Sequence, residues 1–134
     1  MIELSEIREL LAQVVEEKGG HFRYAPIGAH GAGCYYQPRP DLYRETDPRA
    51  TCGCIAGEVL KLAGIELPAD ETECVDEIAD LKDRVSGAAL QYLRVAQGFQ
   101  DNGHTWGDAR HEAEVWAEHY LVQAAAQAAR AAAR

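Results

Sequence analysis

Apolar positions recur at intervals of three and four residues in four separate stretches of this 134-residue chain, the spacing that lines one face of a helix. In the first, Ile7, Leu10, Leu11, Val14 and Val15 predict a helix from about Leu4 to Lys18, stopped by Gly19 and Gly20. The second has Ile55, Val59, Leu60 and Leu62 on one face, Thr51 as its expected cap and Gly64 at its close. A third long helix carries Val85, Ala89, Tyr92, Leu93, Ala96 and Phe99, and stops at Asp101, Asn102 and Gly103. The fourth opens on the capping pair Thr105 and Asp108. Its Trp106, Ala109, Ala113, Trp116 and Tyr120 make a narrow packing seam toward the third helix. Val75, Ile78 and Leu81 are spaced as a further, short helix face.

Between the first two helices the pattern changes. "HFRYA" and "CYYQ" are aromatic-rich and flank "PIGAHGAG", which predicts a β-hairpin with a long glycine-rich loop. Pro38 and Pro40 end its second strand, because proline cannot donate to a ladder. The expected fold is therefore mainly α (α+β): four principal helices with one small β-hairpin covering an end of the bundle. Residues 1–122 form one globular domain. Residues 123–134, "QAAAQAARAAAR", form an Ala-rich helical C-terminal extension with little to bury.

The net charge of −9 is concentrated. Residues 66–83 hold eight carboxylates against one lysine, leaving −2 for the other 116 residues. Such a surface repels phosphate backbones, so direct nucleic-acid binding is not expected. A solvated acidic loop is the plainer reading of the segment. As an interaction surface it would present Asp76, Glu77, Asp80 and Asp83 to a protein partner. No apolar run approaches the roughly 18 residues that cross a bilayer, and "MIELSEIREL" is acidic and amphipathic rather than a secretory leader. A cytoplasmic setting is expected, where paired cysteines serve more often as ligands or catalysts than as disulfides.

Three of the four cysteines, Cys34, Cys52 and Cys54, fall within 21 residues. A zinc site there would draw on Cys34, Cys52 or Cys54 with His21 or His30, although no pair has the usual ligand spacing. Cys52 and Cys54 would lie in the first turn of a helix capped by Thr51, where thiolate is favoured. Cys52 is expected to be the more exposed thiol. Cys34 and Cys54 are expected to lie close together, reduced and structural. No cofactor follows from any motif: "GAHGAG" lacks the phosphate-binding lysine, and no nucleophile elbow is present. An enzyme would need a pocket near Tyr24, Tyr35, Arg39 and Trp106.

Three blocks together resemble a known pattern: Cys34 and Tyr36; Cys54, Ile55 and Gly57; and Gln100, Asp101, Gly103, Trp106, Gly107 and Ala109. Their order resembles that of small proteins of actinobacteria and their phages, with Cys-x-Tyr, a Cys-Ile-x-Gly helix start and a Gln-Asp-x-Gly-x-x-Trp-Gly-x-Ala block. The resemblance covers about residues 20–110. It implies a helical fold with a small hairpin and a phage or mobile-element origin, and it carries no catalytic residue. The function expected is a non-enzymatic protein-binding module acting on a host protein, with a homodimer through the last helix as one arrangement. The alternatives are a small zinc or thiol protein centred on Cys34, Cys52 and Cys54, and an enzyme of unknown class.

Overall fold

A computed structural model describes residues 1–25 and 34–134. It contains four α-helices: α1 (Leu4–Lys18), α2 (Ile55–Leu62), α3 (Gly87–Asp101) and α4 (Trp106–Ala132). Two single 3-10 turns, Pro48–Ala50 and Ala79–Leu81, stand between them. Helices α3 and α4 pack along each other, and α1 and α2 close the other side. Most positions of the predicted faces enter the core: Ile7, Leu11, Ile55, Val59, Leu60, Tyr92, Leu93, Ala96, Trp106 and Ala109 are fully buried, whereas Leu62, expected on the face of α2, is 43% exposed.

The helix ends follow local chemistry. Glu3 and Glu6 form a capping box at α1. Ser86 and Thr105 accept from the amides of Ala89 and Asp108 at the starts of α3 and α4. Helix α2 departs from expectation. Thr51 ends the preceding 3-10 turn, so the N-cap is Cys54. Gly103, at φ 89°, makes the turn between α3 and α4, a conformation that costs glycine least.

The hairpin is not present among the described residues. Neither 21–25 nor 34–37 is a strand, and residues 26–33 lie outside the description. The backbone groups that a ladder would use are spent on helix starts instead. The carbonyls of Gly20 and Phe22 accept from Gly107 and Trp106 at the head of α4, and the Tyr35 carbonyl accepts from Cys54 at the head of α2. Helix N-termini offer unpaired N–H groups in just this way. The two segments meet through a side chain: the Tyr35 amide donates to the Tyr24 hydroxyl at 3.1 Å.

The acidic segment is not a helix either. It runs through turns into the 3-10 turn at Ala79–Leu81, yet Val75, Ile78 and Leu81 are buried as their spacing required. A period of three suits a 3-10 turn as well as a short α-helix. After it, Ile2 bridges Val85 through two backbone hydrogen bonds, which tie the N-terminus to the entry of α3.

Candidate functional site

The chemistry gathers where α2 begins. Cys34 and Cys54 are joined as a disulfide, with Cα atoms 5.8 Å apart. Their proximity was expected; the reduced state expected with it gives way to a disulfide. Both are buried, Cys54 completely and Cys34 with 7% exposure. The Cys54 amide donates to the Tyr35 carbonyl at 2.8 Å, which brings the two chain segments together beside the sulfurs.

Two glutamines of α3 frame this pair. Gln97 Nε2 lies 3.3 Å from Cys34 Sγ and 2.8 Å from the Tyr36 hydroxyl oxygen, donating toward both. The Tyr36 hydroxyl in turn donates to the Glu73 carbonyl. Gln97 Oε1 accepts from the Val75 amide at 3.1 Å. Gln100 Nε2 lies 3.8 Å from Cys34 Sγ and also donates to Asp101. Gln100 Oε1 accepts from the Ile55 amide at 2.7 Å and from the Trp106 indole N–H at 3.2 Å. One side chain therefore satisfies the first amide of α2 and locks the tryptophan of α4. Burying an amide is tolerable only when its polar atoms find partners.

Glycines make room for the approach. A Cβ at Gly53 or Gly57 would overlap the Tyr36 carbonyl, and one at Gly107 would press on the Gly20 carbonyl at 2.7 Å. Each residue in the Cys-x-Tyr, Cys-Ile-x-Gly and Gln-to-Ala blocks, except Asp101, thus takes a core, turn or close-packing position.

Cys52 is buried, at 2% exposure, rather than the open thiol expected. Its Sγ–H points to the Glu58 carboxylate at 3.1 Å and to the Gly53 carbonyl. Burial, and then the Glu58 hydrogen bond, push its pKa up to about 12. A thiol so held is a poor nucleophile at neutral pH. Of the named zinc ligands, Cys34 and Cys54 bind each other, His21 is exposed and His30 lies outside the described residues. No three His, Cys, Asp or Glu side chains converge as a ligand set among the described residues.

The residues of the imagined enzyme pocket serve elsewhere. Trp106 and Tyr24 are buried in the core, while Arg39 stacks on the Tyr35 ring at 4.6 Å. A second stack, Arg49 over Tyr43 at 4.0 Å, orders the same stretch between residues 35 and 50. Paired carboxylates Asp41 and Asp47 hold the two guanidinium groups.

No known family, curated protein or solved structure matches the chain.

Of the four carboxylates expected to face a partner, Glu77, Asp80 and Asp83 are exposed. Asp76 is not grouped with them: it is half-buried and turned toward α3, 3.7 Å from Arg94 and within reach of Gln91. On α4 the core seam runs Trp106, Ala109, Ala113 and then Ala117. Trp116 is only partly buried and stacks on Tyr120, which is 39% exposed. Ala109, Ala113 and Ala117 form a four-residue row, one of the ridge directions along which helices pack, and Ala117 takes the place expected of Trp116. Beyond Ala117 the helix leaves the core, and Tyr120, Leu121 and Val122 stand in the open.

Gln97 and Gln100 were the readable residues that pattern reasoning passed over as site members. They continue the apolar face of Leu93 and Ala96 at three- and four-residue spacing. A polar pair on a buried face is itself a signal, since it must be satisfied by something in the core.

Proposed function

We propose that the protein is a non-enzymatic protein-binding module, a cytoplasmic accessory factor of phage or mobile-element type that acts on a host protein. The observation that carries this reading is the free half of α4. The last residue it buries is Ala117, yet the helix continues to Ala132 with Tyr120, Leu121 and Val122 exposed. Val115 adds a further uncovered side chain, at 44% exposure. Aromatic and aliphatic side chains held on a preformed helix suit the helix-in-groove mode of recognition, and rigidity lowers the entropy lost on binding. The exposed carboxylates Glu77, Asp80 and Asp83 would steer a basic partner, whereas Asp76 is engaged with α3. No helix among the described residues is long and apolar enough to cross a membrane.

The test is a paired capture and sedimentation experiment with the full chain and a chain ended after His119, which removes the three exposed side chains. Leu121→Asp with Val122→Asp in the full chain is the companion variant. The reading requires that both changes abolish capture of one defined host protein while the melting temperature holds. A mass that falls from dimer to monomer would assign the helix to self-association instead. Capture, mass and melting temperature all unchanged would overturn the reading.

A further inference from the structure

We propose that Cys34 and Cys54 form a redox-active pair, whose dithiol state is held by Gln97 and Gln100 at one sulfur and by the start of α2 at the other. A disulfide sulfur is a weak hydrogen-bond acceptor. Even so, two buried amide groups approach Cys34 Sγ, at 3.3 Å from Gln97 and 3.8 Å from Gln100. Both donors have a second acceptor, the Tyr36 hydroxyl and the Asp101 carboxylate respectively. They are not stranded by the disulfide, but they gain when Cys34 becomes a thiolate.

Cys54 has a parallel arrangement. It is the N-cap of α2, yet its side chain makes no capping hydrogen bond, because its sulfur is tied to Cys34. Once released, that sulfur sits at the positive end of the helix, beside first-turn amides with no intrahelical partner. Surroundings that favour both reduced sulfurs make a disulfide easier to reduce.

The exchange is a two-electron step with a dithiol reductant, or with two equivalents of a monothiol such as glutathione, the second taking the part of the second thiol. The reductant's thiolate attacks Sγ of Cys34, the less buried residue of the two. The Cys34–Cys54 bond breaks, and its electron pair leaves on Cys54 Sγ. The reductant's second thiol then attacks the mixed disulfide and releases Cys34. The reductant ends as a disulfide, and the protein gains two electrons and one proton for each sulfur that is not held as thiolate. Cys52 does not intercept the exchange, because it is kept as a buried thiol on Glu58. Opening the pair removes the covalent closure of the 20-residue separation between Cys34 and Cys54, leaving the Tyr35–Cys54 backbone bond to hold the base of the intervening stretch.

The experiment equilibrates the full chain in buffers of graded reduced-to-oxidised glutathione ratio, then traps thiols by alkylation and counts them by mass. The expected result is a pair that becomes half-reduced within that range. Gln97→Leu should lower the dithiol-to-disulfide ratio in a given buffer by about fivefold, the worth of one ordinary hydrogen bond. Because Gln97→Leu also removes the acceptor for Val75, a second measurement uses the unmodified chain. In its reduced form, alkylation of Cys34 and Cys54 should begin at a lower pH than for a free cysteine. A pair that stays wholly oxidised or wholly reduced in every buffer would overturn the proposal. So would a reduced pair alkylated with an ordinary cysteine profile, or a ratio unmoved in a folded Gln97→Leu chain.

Discussion

Cys52 and Cys74 are the two cysteines outside the disulfide, and their surroundings differ. Cys52 is buried on a carboxylate, while Cys74 is partly exposed. A native thiol assay at pH 8 should therefore find one fast thiol, Cys74, with Cys52 reacting only after unfolding. Two fast thiols would show that the Glu58 contact does not protect Cys52. A second residue-scale test concerns Glu114. Arg8 donates to it through Nε and Nη2 at 2.9 and 3.1 Å, and the Tyr92 hydroxyl donates at 2.8 Å. The Arg8 hydrogen bonds hold its carboxyl below the usual range, against the opposing effect of burial, and the Tyr92 hydrogen bond adds to them. A carboxylate whose folded pKa is depressed contributes stability that is complete above its unfolded value, about 4.3. That contribution disappears as pH falls through the folded value. The stability gap between the native chain and Glu114→Gln should be constant above about pH 5 and should narrow below about pH 4. A gap independent of pH in denaturant titrations would refute the assignment. Neither arrangement was legible in the sequence, since Arg8 and Glu114 are 106 positions apart and no periodicity links them.

Elements repeat the lesson with a different cause. The four helices were readable because each buries one apolar face and is stopped by a glycine, an Asp-Asn-Gly turn or an unpartnered tail. The hairpin was misread because aromatic content argues for strand only when the backbone has a strand to pair with. Here Gly20, Phe22 and Tyr35 pair with helix starts. The same contacts expose two positions to test. Gly57→Ala must displace the Tyr36 carbonyl, a backbone group that cannot swing aside, and should cost about 1–3 kcal/mol. Trp106→Ala empties the largest fully buried side chain and frees the Gln100 carbonyl oxygen of one donor, and should cost about 3–5 kcal/mol. Denaturant unfolding monitors both. A Gly57→Ala chain as stable as the parent would mean that α2 and residue 36 do not approach this closely.

On the scale of the whole molecule, charge and shape divide the chain differently. The acidic segment lies on turns with Val75, Ile78 and Leu81 buried, while six of its eight carboxylates, Glu77, Asp80 and Asp83 among them, face solvent. Reversal of Glu77, Asp80 and Asp83 to lysine should leave the melting temperature within the small range of surface substitutions, about 0.5 kcal/mol. A large loss of stability would show that these carboxylates support the fold. Along α4 the last buried residue is Ala117, ahead of the limit at Val122 expected from composition. Composition alone could not place that limit, because alanine serves equally in a tight seam and in an unpacked helix. Alanine favours the helix intrinsically, and the packed half of α4 supplies the nucleus that an isolated segment would lack. The 15 residues from Glu118 to Ala132 extend about 22 Å at the helical rise. A compact domain of this length has a radius of gyration of only about 14 Å. The protein is consequently a body with a mast, and the mast is continuous with its keel. Whatever is fixed to the free end inherits a set distance and bearing from the bundle, so turning the core by a given angle sweeps that cargo through the same arc.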